Sequence, residues 1–170
     1  GPRYKGMWES IQNEISKTMG AINANLQSAS AGVATLPKTE QAKPVAAIAQ
    51  ARRLVAFIKD SHGEHNIYLS AVALRRAQEK IEEAAAASKT QLADLSQQPL
   101  LSGNYCAVLC HEKAGVKVPR ETVRYKGKDL PHVMHAGLLT CGQCHEIGQH
   151  RQAPLKKDIE KTLCVTCHAP

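Results

Sequence analysis

The sequence predicts a mainly α fold, with an antiparallel bundle of three helices in residues 1–99 and a loop-rich domain in residues 100–170. Two observations carry this prediction. Apolar residues recur every three or four positions through the first part, which is the spacing of helices with one buried face. All six cysteines lie after residue 105. The chemistry is therefore expected in the second part, and the first part is expected to be a scaffold or an interaction surface.

The first two helices follow from this periodicity and from the breaks between its runs. Residues 4–30 form the first predicted helix, and its apolar face consists of Met7, Ile11, Ile15, Met19, Ile22 and Leu26. Gly32 and the segment that follows it are expected to end this helix. Pro44 suits the first turn of a second helix, residues 45–60, because a first-turn proline loses no helical hydrogen bond.

The third predicted helix is the longest and covers residues 64–96. Its apolar residues fall near a heptad seam, and they are Ile67, Ala71, Leu74, Ile81, Ala85, Leu92 and Leu95. Ser61 and Glu64 have the spacing of a capping box at its start. The connection to the second helix is short, so these two helices are expected to be antiparallel.

Residues 100–170 have few large apolar side chains. The stretch VKVPRETVRYKGKDL is compatible with a short β-hairpin that turns at Lys126 and Gly127. A segment of this size with so small a core usually needs disulfides, a metal or a cofactor to hold its shape.

Charge and hydropathy exclude two classes of partner. The net charge of +7 is spread along the chain, and no stripe of basic residues interleaved with aromatics favours nucleic acid. No apolar run approaches the roughly 18 residues that a membrane span needs. The first residues, GPRYKGMWES, do not form a signal peptide. An exported protein would therefore have lost its signal, or the chain would be a fragment.

The six cysteines form three pairs, and a histidine follows each pair directly. The three motifs are Cys106, Cys110 and His111 in CAVLCH, Cys141, Cys144 and His145 in CGQCH, and Cys164, Cys167 and His168 in CVTCH. C-x-x-C-H is the attachment signal of c-type haem, in which two thiols bind the porphyrin and the histidine binds the iron. The first motif has one extra residue between its cysteines. We expect three covalently attached haem c groups.

Two other interpretations fit the cysteines. The second and third pairs also match the spacing of a four-thiolate zinc site, although zinc leaves the three histidines unexplained. Three disulfides are the other alternative, but cysteines this close in sequence close only short loops.

The stretch LPHVMHAG before CGQCH resembles the apolar-x-His-x-x-His element of the multihaem cytochromes c, in particular the class III and doubled-CxxCH group. The resemblance covers about residues 104–168. It implies that His132 is the distal ligand of the haem on Cys141 and Cys144, and that His135 serves a neighbouring haem. Solvated loop histidines are the alternative.

Three further histidines are candidates for the remaining distal positions. His150 lies between the second and third motifs. The string SHGEHNIY resembles an element by which larger multihaem cytochromes insert a helix-borne distal histidine, which favours His65 over His62. The alternative is that these residues cap a helix or are exposed.

Bis-histidine ligation at every haem predicts an electron carrier of low potential that exchanges electrons with other redox proteins or cytochromes. A homo-oligomer or a larger multihaem assembly is compatible with this prediction. The resemblance implies a bacterial periplasmic or extracellular location. A haem enzyme, a sensor module or a component of a larger multihaem reductase is the alternative, and it requires one open iron. An enzyme is the less favoured of these two interpretations.

Overall fold

The computed structural model describes residues 2–101, 105–111, 115, 121–146 and 154–168. The chain divides into two compact units, Gly1–Leu101 and Ser102–Pro170, whereas the sequence placed the boundary between residues 99 and 100. Within the described ranges the protein is mainly helical and has one small antiparallel sheet, as predicted. None of the described helices is both long enough and apolar enough to cross a membrane.

The first unit is an up-down-up bundle of three helices. They are α1 (Pro2–Ala34), α2 (Ala42–Asp60) and α3 (Ile67–Ser88). Lys43 near the start of α2 forms a 3.8 Å ion pair with Glu83 near the end of α3, so these helices are antiparallel. Trp8 contacts His65 just before α3 begins, and Gly32 lies against Thr90 just after it ends. Hence α1 and α3 are parallel.

The core of this unit consists of the predicted apolar faces and many small residues. The fully buried large side chains Ile22, Ile58, Leu74 and Ile81 come from all three helices. Buried alanines between them allow the helix axes to approach closely. The chain after α3 is also held against the bundle, because the Asn25 side chain donates to the Ala93 carbonyl at 3.0 Å and accepts from the Ala93 amide at 2.9 Å.

The ends of all three helices differ from the prediction, and α2 begins at Ala42 rather than at residue 45. Helix α1 does not end at Gly32 but continues to Ala34. A Cβ atom at Gly32 would overlap the Thr90 hydroxyl, so this glycine allows close packing between α1 and the chain after α3.

Helix α3 is shorter at both ends than predicted. It begins at Ile67 because the Asn66 side chain accepts from the Leu69 amide at 3.0 Å, whereas the predicted cap Ser61 lies at the end of α2. It ends at Ser88 rather than at residue 96. Lys89 takes a left-handed conformation, and the Thr90 amide donates to the Ala85 carbonyl at 2.9 Å, which is the pattern of a Schellman cap.

The second unit contains the predicted hairpin. Strands β1 (Thr122–Tyr125) and β2 (Lys128–Pro131) are antiparallel. The two turn residues, Lys126 and Gly127, have φ values of 47° and 79°, which is the backbone of a type I′ turn. The described remainder has three short helices: α4 (His132–Leu138), α5 (Cys141–Cys144) and α6 (Ile159–Thr162). The described residues bury few apolar side chains here, namely Tyr105, Ala107, Leu109 and Ile159.

Candidate functional site

The second cysteine motif forms a single capped helical turn. Its cysteines are the first and last residues of α5. The Thr140 and Gln143 side chains complete a capping box, in which the Thr140 amide donates to Gln143 Oε1 at 2.7 Å. One of the two residues between the cysteines therefore stabilises the turn that brings them together.

The second and third motifs close their turns with the same hydrogen bond. The His145 amide donates to the Cys141 carbonyl at 2.8 Å, and the His168 amide donates to the Cys164 carbonyl at 2.8 Å. In each motif the histidine is thus the first residue after the turn. The sequence predicted that the two motifs are equivalent, and both backbones make this hydrogen bond.

The first motif has a wider turn. Residues Cys106–His111 form a π-helical turn, in which hydrogen bonds span one residue more than in an α-helix. Since CAVLCH has one residue more between its cysteines, Cys106 and Cys110 remain one turn apart. Ala107 and Leu109 are buried, and His111 is half-buried.

Two pairs of histidine rings lie close together in the second unit, one pair with an angle of 80° between the ring planes and the other with an angle of 34°. The ring centroids of His132 and His145 are 6.1 Å apart, and those of His135 and His168 are also 6.1 Å apart. Each pair joins one histidine of α4 to the histidine that follows a cysteine pair. Helix α4 thus supplies a ring to both motifs, although His132 and His135 are only three residues apart.

This spacing fits two imidazoles bound to one iron. Two ring nitrogens on opposite sides of a metal, each about 2 Å from it, place the ring centroids roughly 6 Å apart. The same distance also occurs between aromatic rings in ordinary contact. The composition of the pairs favours ligation, because each contains one residue at the predicted proximal position and one at the predicted distal position.

The orientation of His135 also fits a metal ligand. Its Nδ1 lies 2.9 Å from the Pro131 carbonyl oxygen. A carbonyl can only accept, so Nδ1 carries the proton and Nε2 keeps its lone pair for a metal. Metal-bound histidines commonly make this second hydrogen bond, which fixes the tautomer and the ring orientation.

The thiols of the second and third motifs are free. The described cysteines Cys141, Cys144, Cys164 and Cys167 form no disulfide. Burial raises the pKa of the Cys144 thiol, and neighbouring Cys164 and Cys141 raise it further. The two motifs therefore lie close together.

In the part of the chain that the structure describes, no group of three or more His, Cys, Asp or Glu side chains is placed to hold a metal ion. A haem iron takes two ligands from the protein, so a pair of histidines is enough for it.

Large apolar side chains are exposed around the paired histidines. Leu138 is 78 % exposed, and the other four are Val133, Met134, Leu155 and Val165. Val133 and Met134 lie between the two histidines of α4, and Val165 lies between the cysteines of the third motif. A porphyrin that covered these side chains would remove their apolar surface from water. The described part of this unit buries few apolar side chains by itself.

Two further predicted distal ligands are His65 and His150. His65 is exposed in the first unit, where its ring centroid is 5.6 Å from that of Trp8 and 6.4 Å from that of His62. His62 has a left-handed backbone with a φ of 49°. His150 lies outside the described residues, so its role stays a prediction.

The sequence did not predict a polar cluster beside the third motif. Lys126 forms a 2.5 Å ion pair with Glu160, and its Nζ lies 5.9 Å from the centroid of the Tyr125 ring. Lys126 and Glu160 are 34 positions apart in the chain. The one signal in the sequence is a lysine at a turn position where asparagine or glycine is usual.

Comparison of the chain with protein-family models, with curated proteins and with solved structures found no match. The functional interpretation therefore depends on the motifs and on the geometry described above.

Proposed function

We propose that this protein is an electron carrier with three covalently attached haem c groups, bound mainly through two histidines each. The observation that carries the proposal is the spacing of 6.1 Å in two histidine pairs that each join a proximal to a distal candidate. The proposed attachment residues are Cys106, Cys110, Cys141, Cys144, Cys164 and Cys167. The proposed proximal ligands are His111, His145 and His168.

The distal ligands follow from the ring pairs where these exist. His132 is paired with His145 and would complete the second haem, and His135 is paired with His168 and would complete the third. His65 and His150 stay predicted distal ligands. A second strong ligand at an iron leaves no position for a substrate, which favours a carrier over an enzyme.

The haem groups would supply the one-electron redox centres, and the chain would hold them at short range. His132 and His135 are one helical turn apart, so their Cβ atoms are about 5–6 Å apart. The second and third irons would therefore lie within about 20 Å of each other, centre to centre. Electrons could then pass between these haems within one unit, to and from other redox proteins.

The location follows from the proposed cofactor. Covalent haem attachment takes place outside the bacterial cytoplasm, so the proposal includes a periplasmic or extracellular location. The first unit would then provide a docking surface or an oligomer contact for the carrier.

The test is to express the full chain together with a haem-attachment system and to record spectra of the reduced protein with and without carbon monoxide. We expect three haems per chain that stay bound after denaturation, and a low-spin spectrum that carbon monoxide changes only slowly, as a distal histidine leaves. A Soret band that shifts at once on mixing would indicate an open iron and would favour the enzyme or sensor alternative. A protein without covalent haem would contradict the proposal.

The matched controls are two double variants. Cys164→Ala with Cys167→Ala should lower the haem content from three to two per chain. Cys106→Ala with Cys110→Ala should do the same, which would show that the wider first motif also binds haem. Retention of three haems in either variant would contradict the assignment of that motif.

A further inference from the structure

The tip of the hairpin is bound to the helix that leads into the third motif. Lys126 Nζ lies 2.5 Å from Glu160 Oε2. The same Nζ atom lies 5.9 Å from the ring centroid of Tyr125, the last residue of β1. The hydrogen bond from Lys126 is the main reason why the pKa of Glu160 is lowered. We call this contact between Lys126 and Glu160 the clasp.

On the hairpin side, a short rigid path connects the clasp to His135. Strand β2 begins two residues after Lys126 and runs into α4 without a linker. The Pro131 carbonyl at the end of this strand accepts the hydrogen bond from His135 Nδ1. The Val133 amide donates to the Glu121 carbonyl at 3.3 Å, which ties α4 to the start of the hairpin.

On the other side, an equally short path connects the clasp to His168. Glu160 lies in α6, four residues before Cys164. The Leu163 amide donates to the Ile159 carbonyl at 2.8 Å, and the next turn closes with the bond from His168 to Cys164. The two paths meet at the ring pair of His135 and His168. The clasp and the ring pair thus close one loop of contacts.

We propose that Lys126 and Glu160 are positioning residues that hold His135 opposite His168, and so keep the sixth ligand on the third haem. This inference rests on the proposed function. When the clasp opens, the hairpin and α4 are free to move away from α6, and His135 leaves the iron more often. The clasp thereby controls whether this haem stays closed to small molecules.

The backbone of Lys126 supports a role for its side chain. Its φ of 47° lies in the left-handed region, and asparagine or glycine is favoured at this position of a type I′ turn. A lysine there is unfavourable for the turn itself. Its side chain makes two interactions that compensate for this: the contact with Glu160 and a position of Nζ over the Tyr125 ring, 5.9 Å from the ring centroid.

The exposure of the pair sets the expected size of the effect. The side chains of Lys126 and Glu160 are 65 % and 47 % exposed, and ion pairs this exposed are weak. Loss of the clasp should raise the opening equilibrium of His135 by about threefold to fivefold. Such a change is measurable as a rate, because carbon monoxide binds only when the ligand has left.

The test measures the rate of carbon monoxide binding to the reduced, haem-loaded full chain. We expect Glu160→Gln and Lys126→Asn each to raise the rate at one haem by about threefold to fivefold. Lys126→Asn is the sharper variant because it improves the turn while it removes the clasp. The exchange of both residues, Lys126→Glu with Glu160→Lys, should restore the slow rate.

The control is Asp129→Asn. It removes the 3.0 Å ion pair between Arg124 and Asp129, which lies within the same hairpin and does not reach α6. We expect this variant to bind carbon monoxide as slowly as the unaltered protein. An equal increase in this variant would mean that hairpin stability, and not the clasp, holds the ligand.

His135→Ala gives the rate of a fully open third haem. If the rates in Glu160→Gln and Lys126→Asn are unaltered while His135→Ala has one open haem, the proposed role of the clasp is overturned and the proposed function is left intact. No open haem in His135→Ala would show that His135 is not a ligand and would also overturn the clasp. A chain without covalent haem would overturn both proposals.

Discussion

Replacement of the two histidines of α4 tests the assignment of ligands to individual haems. Each ring faces a different proximal histidine, at 6.1 Å in both cases. His132→Ala should therefore open only the second haem, and His135→Ala only the third. In each single variant, one haem of three should bind carbon monoxide rapidly. The fast phase should therefore involve about a third of the haem absorbance. The double variant should reach two thirds.

The assay is rapid mixing of the reduced protein with carbon monoxide, followed in the Soret band. Combined variants show which haem responds. His132→Ala together with Cys141→Ala and Cys144→Ala should lose the fast phase, because the opened haem is then absent. His132→Ala together with Cys164→Ala and Cys167→Ala should keep it. The opposite result in these two variants would refute the pairing of His132 with His145.

Three further predictions concern the scaffold and the polar cluster. Asn25→Ala removes two hydrogen bonds to the backbone of Ala93, and it should lower the free energy of unfolding by about 1–3 kcal/mol in urea denaturation. Gly32→Ala should be destabilising because the new Cβ atom would overlap Thr90. Gly20 has open space around it, so Gly20→Ala should stabilise α1 by up to about 1 kcal/mol. Equal effects of the two substitutions on the free energy of unfolding would refute the packing argument. The pKa of Glu160 is lowered in the folded protein by the hydrogen bond from Lys126, so the clasp should be fully formed above a pH of about 4.3. It should weaken as the pH falls through the lowered value, and a carbon monoxide binding rate that rises with falling pH as steeply in Glu160→Gln as in the unaltered protein would contradict this.

Much of the helical unit could be predicted from periodicity, because one apolar face per helix is a local property of the sequence. The buried residues Ile22 and Leu74 follow directly from it. The helix ends could not be predicted as well. Gly32 marks a close contact with Thr90, which is far away in sequence, and not the end of α1. Helix α3 ends at Ser88, just before Lys89, a residue with no obvious stop signal.

The second unit was predictable where its signals are local. The turn at Lys126 and Gly127 is confirmed, and the cysteine motifs form turns of the expected kind. The assignment of His132 and His135 as distal ligands came from a resemblance rather than from periodicity, and it stays a prediction. The contact of Lys126 with Glu160 could not be predicted, since it depends on how two distant short elements pack.

The short helix α4 has a consequence for how haem binding at the two sites is linked. It has seven residues and buries none of them, and a helix of this length is not stable in water by itself. Its order must therefore come from contacts at its ends and from whatever binds His132 and His135. Binding of one of these histidines to an iron would then order α4, so that binding of the other histidine would cost less conformational entropy. Thermodynamic linkage requires this effect to be mutual. We expect the two haems to behave as a cooperative pair, in which each ligand bond strengthens its neighbour without direct contact between the irons.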